Sequence, residues 1–193
     1  MRVVITGFEP FNDNRFNSSL MVSEAVSRNK LAGYDIMTEQ LPVSFKRVRN
    51  LVRSMLSTNK PDLLIMLGQS NSSACIKIER IAVNLMDSVN PDNDGYCPNE
   101  ECITSDGEKA YFTNLPVKLL KDALLQKNIP VKVSNSAGLY VCNCTYYEAL
   151  RVIQENDLKT KALFVHLPKI TEEFTLESMT TSVTALIEII KDL

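Results

Sequence analysis

The chain has 193 residues, of which 45% are hydrophobic, and a formal net charge of −2 at pH 7. This length supports one full hydrophobic core and is short for two ordinary domains, so we predict a single domain over residues 1–193. No apolar run approaches the ~18–20 residues of a membrane span, and the opening stretch MRVVITGF is too short for a signal-peptide core. The densest basic stretch, FKRVRNLVR, reads as the solvated face of a helix. We therefore expect a cytoplasmic protein that binds neither membranes nor nucleic acid.

Apolar runs and helical hydrophobic patterns alternate along the chain. Strands are predicted at Arg2–Thr6, Tyr34–Leu41, Asp62–Leu67, Val131–Ser134 and Ala162–His166, and an extended stretch at Cys75–Leu85. Helices are predicted after a Ser19 cap and at Phe45–Leu56, Leu119–Lys127, Tyr140–Asn156 and Leu176–Ile190. Val89–Asp106 is the least regular stretch. This alternation predicts an α/β domain with a mostly parallel, twisted sheet covered by helices on both faces.

Ligands of such sheets collect outside the carboxyl ends of the strands. Four segments follow predicted strands: GFEPF after the first strand, GQSNSS after Asp62–Leu67, NSAGLYVC after Val131–Ser134, and HLP at the end of the strand that contains His166. We therefore expect these four segments to converge at one edge of the sheet.

His166 is the only histidine of the chain. Imidazole titrates near neutral pH, so any acid–base step that needs an imidazole falls to this residue. The alternative is a histidine that caps a strand end and bonds to the backbone. The position at the carboxyl end of a predicted strand favours the chemical role.

Cys142 and Cys144 stand one residue apart after the flexible turn Ala137-Gly138. Residues two apart in a helix differ by about 200° around its axis, so the two sulfurs do not face one site. Cys142 is nearer the predicted helix start, where the helix dipole and free N–H groups favour a thiolate and an oxyanion. Cys144 is expected to pack in the core. Inert burial is the alternative for Cys142 as well.

The remaining candidates are a cysteine pair and a carboxylate. Cys97 and Cys102 frame CPNEEC, but their spacing is not typical of a zinc site, so we expect no metal. Five cysteines are an odd number, which does not favour a disulfide framework. Glu79 is predicted to lie on the same apolar strand face as Ile81 and Val83, where a carboxylate needs a partner. That partner is either a cation, Lys77 or an arginine, or the imidazole of a Cys–His pair.

Eight motifs follow one another along the chain: TGFEPFNDNRFNSS, LPVSF, LGQ, IERIAVN, PDNDGY, DGEKAYFTNLP, SAGLYVCN and FVHLP. In this order and spacing they resemble the pyroglutamyl peptidase I family, also called pyrrolidone carboxyl peptidases. These are cysteine peptidases that remove an N-terminal pyroglutamyl residue. The resemblance implies hydrolysis of the amide bond after pyroglutamate in peptides, no cofactor, and a homo-oligomer, either a dimer or a tetramer.

The resemblance also implies roles for individual residues. Cys142 would be the nucleophile, His166 the general base and then acid, and Glu79 the residue that orients the imidazole. The family's substrate pocket matches Phe8, Phe11, Phe16, Asn17, Gln69 and Tyr140. Aromatic faces suit the flat, uncharged γ-lactam ring of pyroglutamate.

The chain departs from the family pattern at three places. SNSS at Ser70–Ser73 replaces a small residue followed by Gly-Gly-Arg, Val89 stands where an arginine precedes the PDN segment, and NSS at Asn17–Ser19 lacks a proline. An arginine near the thiolate would stabilise the oxyanion, and the loss of one such donor costs roughly 10²–10³ in rate. Three hypotheses follow: an active pyroglutamyl peptidase, whose rate the missing arginine would reduce; an impaired homologue that binds a small molecule or peptide; and an amidase of another acyl group.

Overall fold

The computed structural model describes residues 1–11, 14–71 and 73–193. The strands are β1 Arg2–Phe8, β2 Asp35–Leu41, β3 Leu63–Ser70, β4 Ile76–Glu79, β5 Ile81–Val83, β6 Ala110–Phe112, β7 Val131–Ser134 and β8 Lys161–Pro168. The helices are α1 Ser18–Arg28, α2 Phe45–Asn59, α3 Val117–Gln126, α4 Val141–Glu155 and α5 Leu176–Lys191. No helix in these ranges is long and apolar enough to cross a membrane.

The main sheet has the strand order β2-β1-β3-β8-β4-β7. Within the described residues four of its five neighbouring pairs are parallel, and only β4 and β8 are antiparallel. β4 and β7 therefore run against the other four strands. β5 and β6 form a separate antiparallel ribbon. The predicted α/β class with a mostly parallel sheet is confirmed.

Helices cover both faces of the sheet because successive strand residues point to opposite sides. Ile5 and Ile65 enter a core under α1, α3 and α5, where they meet residues such as Leu186. Val4 and Leu64 enter the other core, under α2 and α4. Burial on both faces explains why these strands read as continuous apolar runs rather than as alternating patterns.

The stretch Cys75–Leu85, predicted as one extended segment, consists of two strands. β4 belongs to the main sheet, and after Arg80 the chain leaves it to form β5. The Arg80 N–H donates to the Ser134 carbonyl at 2.9 Å, and its carbonyl accepts from the Thr113 N–H at 3.0 Å. The prediction that Glu79 shares a face with Ile81 and Val83 was therefore wrong, because the two strands lie in different sheets.

The four segments that follow the predicted strands converge at one edge of the sheet, as predicted, but NSAGLYVC reaches that edge by a different route because β7 runs in the opposite direction. β7 is parallel to β4, which pairs with β8 in the opposite direction. The carboxyl end of β7 consequently points away from those of β1, β3 and β8. Sequence periodicity carries no information on strand direction, which is set by pairing between distant segments.

The helix predicted to follow a Ser19 cap begins at Ser18, and its cap is Asn17. The side-chain oxygen Oδ1 of Asn17 accepts from the Ser19 N–H at 3.1 Å and from the Ser19 hydroxyl at 2.7 Å. The Ser19 hydroxyl oxygen also accepts from the Phe8 N–H at 3.0 Å. A Cβ at Gly7 would lie 2.4 Å from the Leu20 Cα, so glycine permits the close approach of α1 to β1.

Candidate active site

A cavity of about 490 Å³ lies at the carboxyl ends of β1, β3 and β8. Its size is in the range of small-molecule sites. The chain after β7 returns to this edge, so that residues 136–138 also line the cavity. The predicted site residues that line it are Phe8, Phe11, Asn17, Gln69, Glu79, Tyr140, Cys142 and His166.

Cys142 is the second residue of α4 and is partly buried. The first N–H groups of a helix have no intrahelical acceptors, and the dipole at this end favours negative charge on a nearby sulfur. The next residue, Asn143, holds this turn in place: its amide exchanges hydrogen bonds with the Val83 backbone at 2.9 and 3.0 Å. The sulfur therefore has a defined position at the cavity wall.

Gly68 makes room for the Cys142 sulfur. A Cβ at this position would lie 3.1 Å from Cys142 Sγ and 2.8 Å from the Phe164 ring. Gly68 is also the β3 neighbour of His166 in the sheet register. Gly68 was not among the predicted site residues, although a glycine inside a strand pattern is a recognised sign of close approach.

His166 and Glu79 are joined by a hydrogen bond of 2.8 Å between Nδ1 and Oε1. Glu79 is 0% exposed and His166 is 9% exposed. The two residues come from antiparallel neighbours, where Glu79 faces Phe164 and Lys77 faces His166. The partner of Glu79 is thus the imidazole and not the cation that was the alternative.

The charge state of His166 follows from these neighbours. Burial opposes the imidazolium, but the interactions with Cys142 and Glu79 outweigh it and raise the pKa of His166 to about 9. Because Glu79 occupies Nδ1, Nε2 is the nitrogen that remains for the thiol. With a pKa of about 9, His166 is an imidazolium at neutral pH.

Cys144 is fully buried, and its thiol lies 3.8 Å from the Phe45 carbonyl oxygen. Burial raises the pKa of this thiol to about 12, so it stays protonated. The prediction that the two sulfurs face different surroundings, with Cys144 in the core, is confirmed. The five cysteines are all free, and the described chain holds no cluster of three or more residues suited to a metal ion.

One wall of the cavity is aromatic. Phe8 is buried and lies 6.4 Å from Phe164 between ring centroids. Tyr140 packs edge-on against Phe45 at 5.3 Å, and its hydroxyl donates to the Pro91 carbonyl at 2.9 Å. Burial raises the pKa of Tyr140 to about 12, so this wall carries no charge at neutral pH.

Asn17 and Gln69 line the cavity, yet their amides also serve the fold. The Gln69 carbonyl oxygen accepts from the Ser18 N–H at 2.9 Å, and its NH₂ donates to the Asn71 side chain at 3.1 Å. Asn17 caps α1. Together they hold the start of α1 against the end of β3 at the rim of the cavity.

Phe16 does not join this cavity, so its assignment to the pocket is corrected by the structure. It is 70% exposed and borders a neighbouring depression with Lys169 and Ile170. Asn17 is extended and turns inward as the helix cap. Consecutive side chains of extended backbone point to opposite sides, so Phe16 projects outward.

A sequence model described as pyroglutamyl peptidase matches residues 1–191. The chain belongs to the pyroglutamyl peptidase family. The pyrrolidone-carboxylate peptidase of Thermococcus onnurineus NA1 is 45% identical over 175 residues, covering 90% of this chain and 86% of that protein. The pyrrolidone-carboxylate peptidase of Brachyspira hyodysenteriae is 42% identical, and the match likewise covers 90% of this chain and 86% of that protein.

Solved structures of pyroglutamyl peptidases have the same fold. A mutant pyrrolidone carboxyl peptidase from Pyrococcus furiosus gives a TM-score of 0.94 at 31% identity, covering 100% of this chain and 99% of that chain. The enzyme from Fervidobacterium islandicum AW-1 gives 0.92 at 35% identity, with the same coverage. The superposition extends over every described element.

The departures from the family pattern occupy different places. Val89 is 94% exposed and turned away from the cavity, although its neighbours Ser88 and Asn90 line it. Ser70 and Asn71 line the cavity. Ser73 lies outside it, with its hydroxyl bonded to the Cys75 carbonyl at 2.6 Å. Ser72, like Asn12 and Asp13 of the first motif, lies outside the described residues.

Proposed function

We propose that this member of the pyroglutamyl peptidase family hydrolyses the amide bond after an N-terminal pyroglutamyl residue of peptides through a Cys142 acyl-enzyme. One observation carries the proposal: the 2.8 Å bond between Glu79 and His166, beside Cys142 at the start of α4. Nucleophile, base and orienting carboxylate thus meet at one cavity wall, which is the arrangement that acyl transfer requires.

The chemistry proceeds in two stages. The Cys142 thiolate attacks the carbonyl carbon, and the oxyanion that forms lies near the N–H groups of the first turn of α4. His166 then gives its Nε2 proton to the leaving amine, which departs and leaves a thioester. His166 next takes a proton from water, the hydroxide attacks the thioester, and pyroglutamate leaves as Cys142 regains its thiolate. Glu79 keeps the imidazole oriented and balances its charge.

The aromatic wall of the cavity supports pyroglutamyl as the acyl group of the substrate. The γ-lactam of pyroglutamate is flat and neutral, so the rings of Phe8, Phe11 and Tyr140 can cover its faces. An extended, charged glutamate side chain would lose its hydration there without a cationic partner on that wall. The site therefore favours the cyclised residue over glutamate.

A turnover assay with a chromogenic pyroglutamyl amide tests the proposal. We expect release of the chromophore by the wild type and a fall of about 10³-fold or more for Cys142→Ser. Cys144→Ala is the matched control, and we expect it to keep its activity because that sulfur faces the core. Absence of turnover by the wild type, or full activity of Cys142→Ser, would contradict the proposal.

A binding protein without turnover is the second candidate, and the exposure of Val89 favours it, because no side chain from that position reaches the cavity. Protection of Cys142 from alkylation by free pyroglutamate, in the absence of hydrolysis, is its expected result.

We further propose a cytoplasmic homo-oligomer. The five free cysteines fit a reducing compartment. The irregular segment 89–106 carries the exposed apolar side chains Val89 and Tyr96, which fit a contact with another copy of the chain. Light scattering coupled to gel filtration measures the assembly, and a monomer at all concentrations would contradict it.

A further inference from the structure

Lys77 places a positive charge in the cavity that the chemistry above does not use. Among the described residues it is the one lysine or arginine that lines the cavity. Its ammonium donates to the Ser70 hydroxyl at 3.3 Å. Among the same described residues, Glu79 is the one carboxylate that lines the cavity, and it is hydrogen-bonded to His166. Within the described ranges, the ammonium thus has a hydroxyl partner but no carboxylate partner at this site.

The sheet register defines where this charge lies. Gly68 on β3, His166 on β8 and Lys77 on β4 are neighbours in one row across three adjacent strands. Side chains in one row point to the same face, and adjacent strands lie about 4.8 Å apart. From β4 the Lys77 ammonium reaches over β8 to Ser70 at the end of β3. It therefore lies beside the imidazole on the open side of the sheet edge.

The same strand order separates the two ends of a bound substrate. Phe8 belongs to β1, on one side of the Cys142–His166 pair, and Lys77 belongs to β4, on the other. An acyl group on the aromatic wall leaves the departing amine on the side of His166. The first residue after the scissile bond then lies next to Lys77.

We propose that Lys77 is a specificity-determining residue that selects substrates with a carboxylate in the first residue after pyroglutamate. This inference rests on the proposed function. A carboxylate can come from the free C-terminus of a pyroglutamyl dipeptide, whose carboxyl carbon is two bonds from the leaving nitrogen, or from an acidic side chain. In either case the partly buried ammonium gains an ionic partner that water screens less than at the surface.

Matched substrate pairs test the inference by kcat/KM. Pyroglutamyl-alanine is compared with its C-terminal amide, and pyroglutamyl-glutamate amide with pyroglutamyl-glutamine amide. We expect the wild type to prefer the charged member of one pair by about threefold to tenfold, as for one charge pair near a protein surface. The pair that shows the preference identifies the source of the carboxylate.

Variants assign the preference to Lys77. Lys77→Met should bring the ratio of the two kcat/KM values close to one, and Lys77→Arg should retain a preference. Lys132→Met is the control: Lys132 is the register neighbour of Lys77 on β7, is exposed, and does not line the cavity. Because each ratio is measured on one protein sample, loss of folded protein cancels.

Two results would overturn the inference while leaving the proposed function intact. One is equal turnover of both members of both pairs by the wild type, and the other is a preference that survives in Lys77→Met. If the wild type turns over none of the four substrates, the proposed function fails and this inference fails with it.

Discussion

At the scale of single residues, the proposed chemistry depends on how Glu79 controls the charge of His166. The carboxylate is fully buried and bonded to Nδ1 at 2.8 Å. The buried imidazole gains its proton affinity from Cys142 and from this carboxylate, which together raise its pKa to about 9. The imidazolium is present below that pKa and is lost as the pH rises through it.

Glu79→Gln keeps a hydrogen-bond acceptor for Nδ1 and removes the charge. We expect the pKa of His166 to fall, so that the basic limb of the pH profile of kcat/KM shifts to lower pH. The profile is measured between about pH 6 and 10 with a pyroglutamyl amide. Glu173→Gln, at an exposed position, serves as the control. A basic limb that does not move would contradict the prediction that the Glu79 carboxylate raises the pKa of His166.

Helix geometry and distance from the helix start were sufficient to predict that Cys142 and Cys144 have different surroundings, with Cys144 in the core. Glu79 and His166 are 87 residues apart, and spacing alone left the partner of Glu79 open between a cation and the imidazole. Phe16 was misplaced because its direction depends on which residue caps α1. Lys77 gained a place in the cavity only through the register of β4 with β8.

At the scale of elements, α2 and α4 are joined by a buried carboxylate. Glu148 is fully buried and accepts from Arg53 at 2.5 Å and from Arg151 at 2.9 Å, with Arg49 at 3.5 Å. Burial raises the pKa of Glu148, but the hydrogen bonds and charges of Arg53 and Arg151 outweigh burial and lower it. The helix that carries Cys142 is thereby held against its neighbour.

Glu148→Gln removes the charge that the arginines surround. A lowered pKa in the folded state means that this stability is present above the unfolded pKa near 4.3 and is lost as the pH falls through the folded value. We expect the variant to lose about 3 kcal/mol of unfolding free energy at pH 7, and less at pH 3. Urea denaturation at both pH values measures the two differences. An equal loss at both would exclude the ionic interaction as its cause.

Local patterns predicted the five helices and the long strands, since amphipathic spacing and apolar runs are properties of short segments. β6 was not predicted, because three residues are too few to show a period. The break after Arg80 was missed for a related reason: apolar and polar residues keep alternating across it while the hydrogen-bonding partners change.

At the scale of the whole molecule, β8 joins two groups of strands. β2, β1 and β3 lie on one side of it and β4 and β7 on the other. Both helix layers pack on this shared sheet. Its topology was not predictable from local sequence, because the antiparallel pairing of β4 with β8 connects residues far apart in the chain.

We expect this shared strand to make unfolding cooperative. Far-ultraviolet circular dichroism reports all helices. The chain has no tryptophan, and its tyrosine fluorescence reports mainly the α4 side, where Tyr111, Tyr146 and Tyr147 are buried, since of the six tyrosines Tyr34 packs on the other core. The two signals should change in one coincident urea transition. An earlier transition in tyrosine fluorescence would mean that the α4 side unfolds on its own.

The central position of β8 also bears on the order in which the protein is made. Ribosomes build the chain from its amino end, and β8 at Lys161–Pro168 is synthesised after the other seven strands that the structure describes, although it lies in the interior of the sheet. Until it emerges, β3 and β4 have no strand between them and Glu79 has no imidazole to bind. A nascent chain that lacks β8 therefore holds Cys142 and Glu79 without His166, and the three side chains come together only after β8 has emerged.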